Sequence, residues 1–158
     1  MLRLALKLLL GCFVLALLGI GYIVYLFASE PFGPGYDDFA ASLPHGYSLV
    51  RSSAHQIIIW PGDGSPERAE AIPTKVVELA HNGTWLLARQ QHLQRRSPNN
   101  PDDTYEEPVP DTYSYWILNM ATHQRFGPLD ETAFNAKQTE LGLNDGSLRL
   151  QSVYDFRP

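Results

Sequence analysis

Lys75-Val76-Val77-Glu78-Leu79-Ala80-His81-Asn82-Gly83-Thr84-Trp85-Leu86-Leu87-Ala88-Arg89-Gln90-Gln91 is the stretch from which the architecture of this chain can be read. Two runs of strand-forming residues flank Asn82-Gly83, a pair that readily adopts the positive φ values of a tight hairpin turn. A two-residue turn at that pair sets His81 against Thr84, Ala80 against Trp85, Leu79 against Leu86 and Val77 against Ala88, because side chains alternate with period two. Val77, Leu79, Leu86 and Ala88 then make a core face. The opposite face carries Val76, Glu78, Ala80, Trp85, Leu87 and Arg89, with Glu78 and Arg89 diagonal across the pair, and suits packing under a helix or against a partner. Asn82-Gly83-Thr84 is also a formal glycosylation sequon, which the turn explains without modification.

Working outward, Tyr47 to Trp60 reads as another hairpin, with Leu49 and Ile57-Ile58-Ile59-Trp60 on either side of a polar turn at Ser52 to His55. Pro61 to Pro66 is a turn-rich loop, and its Gly-Asp-Gly-Ser-Pro order is not a nucleophile elbow. Tyr113 to Leu118 is apolar on both faces, as an interior strand would be. Arg125-Phe126 pairs back on it. A helix follows Gly127-Pro128-Leu129, capped by Asp130, stapled by Leu129 and Phe134, and ended by Gly142. Leu148, Leu150 and Val153 suggest a last strand. Before the first hairpin, Tyr36, Phe39, Ala40 and Leu43 recur at helical spacing and predict a short amphipathic helix. The expected class is α+β: a small antiparallel β-sheet domain at 36–158 with one or two short packing helices.

Ahead of this domain, Leu8 to Ala28 is an uncharged apolar run of about 21 residues, long enough as a helix to cross roughly 30 Å of hydrocarbon. Residues 1–29 are therefore expected to be a signal-anchor transmembrane helix, joined by a Pro/Gly spacer at 30–35. Arg3 and Lys7 precede the run and Glu30, Asp37 and Asp38 follow it, which places the N-terminus in the cytoplasm and the domain outside. A cleaved signal peptide fits less well, because the run is long and lacks a good small-residue site. Leu9-Leu10-Gly11-Cys12 is similar to a lipobox, but about 16 membrane-compatible residues follow Cys12 where a polar tether belongs.

The chain has 158 residues and a formal charge of −5. Two of its 12 basic residues precede the apolar run and all 17 acidic residues follow it, so the exported part carries −7. That excludes nucleic acid as the expected partner. Cys12 is the single cysteine, so neither an intramolecular disulfide nor a thiolate cluster is available. His45, His55, His81, His92 and His123 show no metal-binding spacing, and no cofactor is expected. No phosphate loop or nucleophile setting stands out. A binding module is expected ahead of an enzyme, the rival being an envelope hydrolase or sugar-acting enzyme whose site is assembled from loops.

Two places invite a partner. Ser97 to Thr112 holds four prolines and Asp102, Asp103, Glu106, Glu107 and Asp111 with no basic residue, and reads as a long acidic loop. Its carboxylates match no EF-hand spacing. Trp85 and Trp116 would mark a second binding surface if exposed together.

Leu43-Pro44-His45-Gly46-Tyr47, Trp85-Leu86-Leu87-Ala88, Tyr115-Trp116-Ile117-Leu118-Asn119, Gly127-Pro128-Leu129 and Phe134 together give the chain its family likeness. It resembles a bacterial family of small membrane-anchored or lipoprotein domains of unknown function. The resemblance implies a bacterial envelope protein and supplies no activity.

Overall fold

The computed structural model describes residues 37–62 and 71–158. The apolar run at 8–28, Cys12, the spacer and most of the Pro61 to Pro66 loop lie outside the described residues. Among the described residues no helix is long and apolar enough to cross a membrane.

The described chain is mostly antiparallel β-sheet with one α-helix, a small α+β domain. Strands β1 (Phe39–Ser42), β2 (Tyr47–Arg51) and β3 (Ile57–Pro61) form one sheet in that order. Strands β4 (Val76–His81), β5 (Trp85–Arg95), β6 (Glu106–Asn119), β7 (Gln124–Leu129) and β8 (Gln151–Ser152) form a second, ordered β7-β6-β5-β4-β8. Helix α1 (Glu131–Glu140) contacts β6 and β7.

Two apolar clusters hold these layers. Leu49, Ile57 and Ile59 from the small sheet meet Val76, Leu79, Leu86, Ala88, Trp116 and Leu118 from one face of the large sheet. On the other face Ala80, Leu87 and Ile117 pack with Phe134 of α1 and with Leu143 and Leu148. Each fully buried Leu, Ile or Val contributes about 1.5–3 kcal/mol, so these clusters dominate the fold of a domain without a disulfide. Polar ties join the sheets: Tyr47 Oη is 2.6 Å from His123 Nδ1, and Arg125 donates to the Ala71 carbonyl at 2.9 Å.

The central hairpin forms where the sequence places it, but its register is two residues off the expected one: Leu79 faces Ala88 and His81 faces Leu86. The reason is local. Asn82 Oδ1 accepts from the Thr84 and Trp85 amides and Asn82 N–H bonds the Trp85 carbonyl, so Asn82 opens the turn instead of sitting in its centre. Gly83 takes the first central position at φ 96°, where glycine is favoured. A slip of two preserves which side each residue faces, so Leu79, Leu86 and Ala88 remain in the core. The same slip sets Glu78 directly opposite Arg89, 3.0 Å away, and an irregularity between Val76 and Glu78 turns Val76 inward in place of Val77.

The expected helix at Tyr36 to Leu43 is instead strand β1, paired with β2 from Phe39↔Arg51 to Ser42↔Ser48. Phe39 and Ala41 also alternate with period two, and β2 offers a ladder that a short isolated helix cannot match. Asp37 and Asp38, at the entry to β1, pair with Arg51 of β2. The last strand shrinks to Gln151–Ser152, with Val153 opening a 3-10 turn. Helix α1 is as expected. Asp130 accepts from the Ala133 amide at 2.8 Å, and at the far end Gly142 sits at φ 69°. Gly142 N–H bonds the Thr139 carbonyl and Leu143 N–H the Gln138 carbonyl, a Schellman closure.

Candidate functional site: the β5–β6 arm

Strands β5 and β6 outrun their neighbours. The β4 pairing stops at Val76↔Gln90 and the β7 pairing at Leu129↔Tyr115, while β5 and β6 continue together to Arg95↔Glu106. The acidic stretch is therefore a loop only up to Tyr105; Glu106 to Thr112 belong to β6. Strand pairing overrides the two prolines because Pro108 and Pro110 fall where β6 has no neighbour on its outer side.

The arm leaves the sheet through a bulge. Gln91 faces Tyr113 but Leu93 faces Pro108, so Val109 to Thr112 loop out opposite His92, with Asp111 at φ 51°. Bulges re-aim side chains. Here His92 Nε2 and Ser114 Oγ come within 2.7 Å. Ser114 faces Gln90, whose Oε1 accepts from Trp116 Nε1 at 2.7 Å and whose amide donates to the Thr74 carbonyl. His92, Ser114, Gln90, Thr74, Leu93 and Glu106 are among the residues lining a cleft of about 530 Å³ at the root of the arm. The cleft thus holds a serine hydroxyl and an imidazole within hydrogen-bond reach of each other.

At the tip, Arg96 reaches Asp103 Oδ2 through Nε at 3.1 Å and Nη2 at 2.9 Å, and its guanidinium lies 4.9 Å from the Tyr105 ring centre. Asp103 Oδ1 accepts from the Tyr105 amide. A hydrogen bond from Ser97, then the Arg96 bond, hold the Asp103 carboxyl below the usual carboxylate range. Ser53, His55 and Gln56 of the β2–β3 turn face Asp102, Tyr105 and Glu106 across a second cleft of about 390 Å³. His55 Nε2 is 3.2 Å from Tyr105 Oη.

Of the five acidic residues singled out by sequence, Asp102, Glu106 and Asp111 are exposed, Asp103 is paired with Arg96, and half-buried Glu107 is 3.5 Å from Gln94. Trp85 and Trp116 form no common surface. Trp116 is 5% exposed in the cluster between the sheets, and Trp85 packs against the cluster on the opposite face. His55, Tyr105, His92 and Ser114 were not legible as site residues, because the bulge that brings His92 to Ser114 leaves no motif in the sequence. Among the described residues no group of three or more His, Cys, Asp or Glu is placed to hold a metal ion.

Fold and arm define a small α+β domain of two stacked antiparallel sheets and one helix, from which a β-ribbon projects. A family model matches residues 44–154, which is most of the chain. The chain belongs to that family, described as protein of unknown function (DUF3997). No curated protein and no solved structure matches it.

Proposed function

We propose that the chain is a membrane-tethered binding module of the bacterial envelope, with residues 8–28 as the anchor and the domain outside the cytoplasm. The β5–β6 arm engages a basic protein partner, in the manner of an immunity-like inhibitor that covers a toxin or enzyme. The observation that carries this reading is the division of labour along β5 and β6. No residue from 91 to 112 belongs to either core cluster, yet this ribbon displays the exposed carboxylates of Asp102, Glu106 and Asp111. Its five carboxylates, Asp102, Asp103, Glu106, Glu107 and Asp111, outnumber Arg95 and Arg96, and an excess of one sign on a projecting element steers and selects an oppositely charged partner more than it stabilises a fold. The test is chemical cross-linking of the full chain in native membranes, comparing wild type with Asp102→Asn/Glu106→Gln/Asp111→Asn. A basic partner captured by wild type and lost from the variant is expected. Capture of the same partner in equal yield would overturn the arm as the contact.

A hydrolase reading is favoured by the His92–Ser114 pair alone. In it Ser114 Oγ attacks an acyl carbon while His92 Nε2 accepts the hydroxyl proton and returns it to the leaving group. A fluorophosphonate probe should then label Ser114 in wild type and fail in His92→Ala. An unlabelled wild-type chain would remove this reading.

A further inference from the structure

Strand β3 carries an unusual pattern for its position. Ile57-Ile58-Ile59-Trp60 is apolar at every residue, the signature of a strand covered on both faces, whereas a sheet with one solvated face alternates apolar with polar. Its inward residues Ile57 and Ile59 are fully buried between the sheets. Its outward residues are Ile58 and Trp60, and pairing sets Val50 and Ala40 beside Ile58, and Ser48 and Ser42 beside Trp60. Val50, Ile58 and Trp60 are partly exposed and belong to neither apolar cluster. The six outward positions of the small sheet carry no charge, in a chain whose exported part is strongly acidic.

We infer that this outer face rests on the lipid bilayer, with Trp60 at the headgroup boundary and Val50 and Ile58 toward the acyl chains. The inference rests on the reading of residues 8–28 as an anchor. The described domain begins at Asp37, nine residues after Ala28, and β1 of this same sheet begins two residues later. Nine residues span at most about 30 Å, so the tether keeps the face within reach of the surface at high effective concentration. A small uncharged patch then suffices, since it need not bind from bulk solution. Tryptophan suits this boundary because its ring is apolar and its N–H finds a partner in the headgroup layer. A neutral lipid surface is the occupant that matches, because the carboxylates elsewhere on the domain disfavour anionic lipid.

All three tryptophans lie at 60, 85 and 116, and none is in the apolar run, so tryptophan emission reports the domain alone. The full chain is reconstituted in phosphatidylcholine vesicles with and without brominated acyl chains, then floated and measured. Wild type should float and lose the emission of one tryptophan to the brominated lipid, and Trp60→Phe should lose none. Ile58→Asn, which keeps the reporter, should weaken the quenching. A chain that fails to float removes the anchor and this inference together. A chain that floats with quenching absent, or unchanged in Trp60→Phe, overturns the docking face and leaves the anchor standing. Trp60 shielded from iodide yet unquenched by lipid would assign the face to a protein cover instead and overturn the inference.

Discussion

Arg51 Nη1 stands 3.2 Å from Asp38 Oδ1, and the guanidinium is almost wholly enclosed, at 8% exposure. Asp37 lies at 4.0 Å and the Tyr154 ring centre at 5.7 Å from the same group. Asp38 at the entry to β1 thus neutralises a cation on β2 that faces into the molecule. Asp38→Ala should destabilise the domain by about 3 kcal/mol, because it leaves a buried charge with its more distant partner only. Asp38→Ala combined with Arg51→Met should recover most of that loss. Thermal unfolding of the full chain in detergent checks both; equal melting of Asp38→Ala and wild type would show that Asp37 suffices.

Gly127 touches the flat of Trp116. A Cβ there would lie 2.5 Å from Trp116 Cε3 and 2.9 Å from the Tyr115 carbonyl oxygen, and the residue sits at φ 140°. Gly127→Ala should cost about 3 kcal/mol or more, since neither a buried indole nor strand backbone can retreat. The melting temperature should fall and Trp116 emission should shift to the red.

Gly142 provides the contrast. It also has positive φ, 69°, but a Cβ added there would have open space for 4 Å around it. Gly142→Ala should therefore cost only about 1 kcal/mol, the conformational strain alone. Denaturant titration of both glycine variants separates clash from strain.

Asp103 ties the tip of the arm, and its carboxyl is held low by Ser97 first and Arg96 next. A depressed folded-state value means this tie is at full strength above the usual carboxylate range and is lost as pH falls through Asp103's own lowered value. The Tyr105 amide, which donates to Asp103 Oδ1, should report that titration by NMR. Ser97→Ala should move its midpoint upward toward an ordinary aspartate; an unmoved midpoint would assign the depression to Arg96.

Asp130 caps α1 through the Ala133 amide, and Phe134 one turn on stacks on Tyr115 with ring centres 4.8 Å apart. Asp130→Ala should cost about 1 kcal/mol and Asp130→Ser much less. Helical circular dichroism and the melting temperature together test this.

What could be read from residues alone divides along physical lines. Helix α1 was legible because its cap, its buried Phe134 and its closing glycine are local and agree with one another. The faces of the β4–β5 hairpin were legible although its register was not, since a slip of two leaves every side chain on its original side. β1 was not legible, because Phe39 and Leu43 satisfy a helical spacing and a strand spacing alike, and the decision falls to the ladder offered by β2. The acidic residues were visible as charge, but Pro108 and Pro110 disguised the strand that carries them. His92 and Ser114 are 22 residues apart and meet only through the bulge, which no spacing rule anticipates.

Pro108 and Pro110 on the outer side of β6 have one more effect. A two-stranded ribbon standing clear of its sheet would ordinarily offer its edge as a template for further strands, and copies crowded in one plane would join edge to edge. Two prolines within three residues remove amide donors from the β6 edge, so along that edge the arm meets its surroundings through side chains and not through added strands.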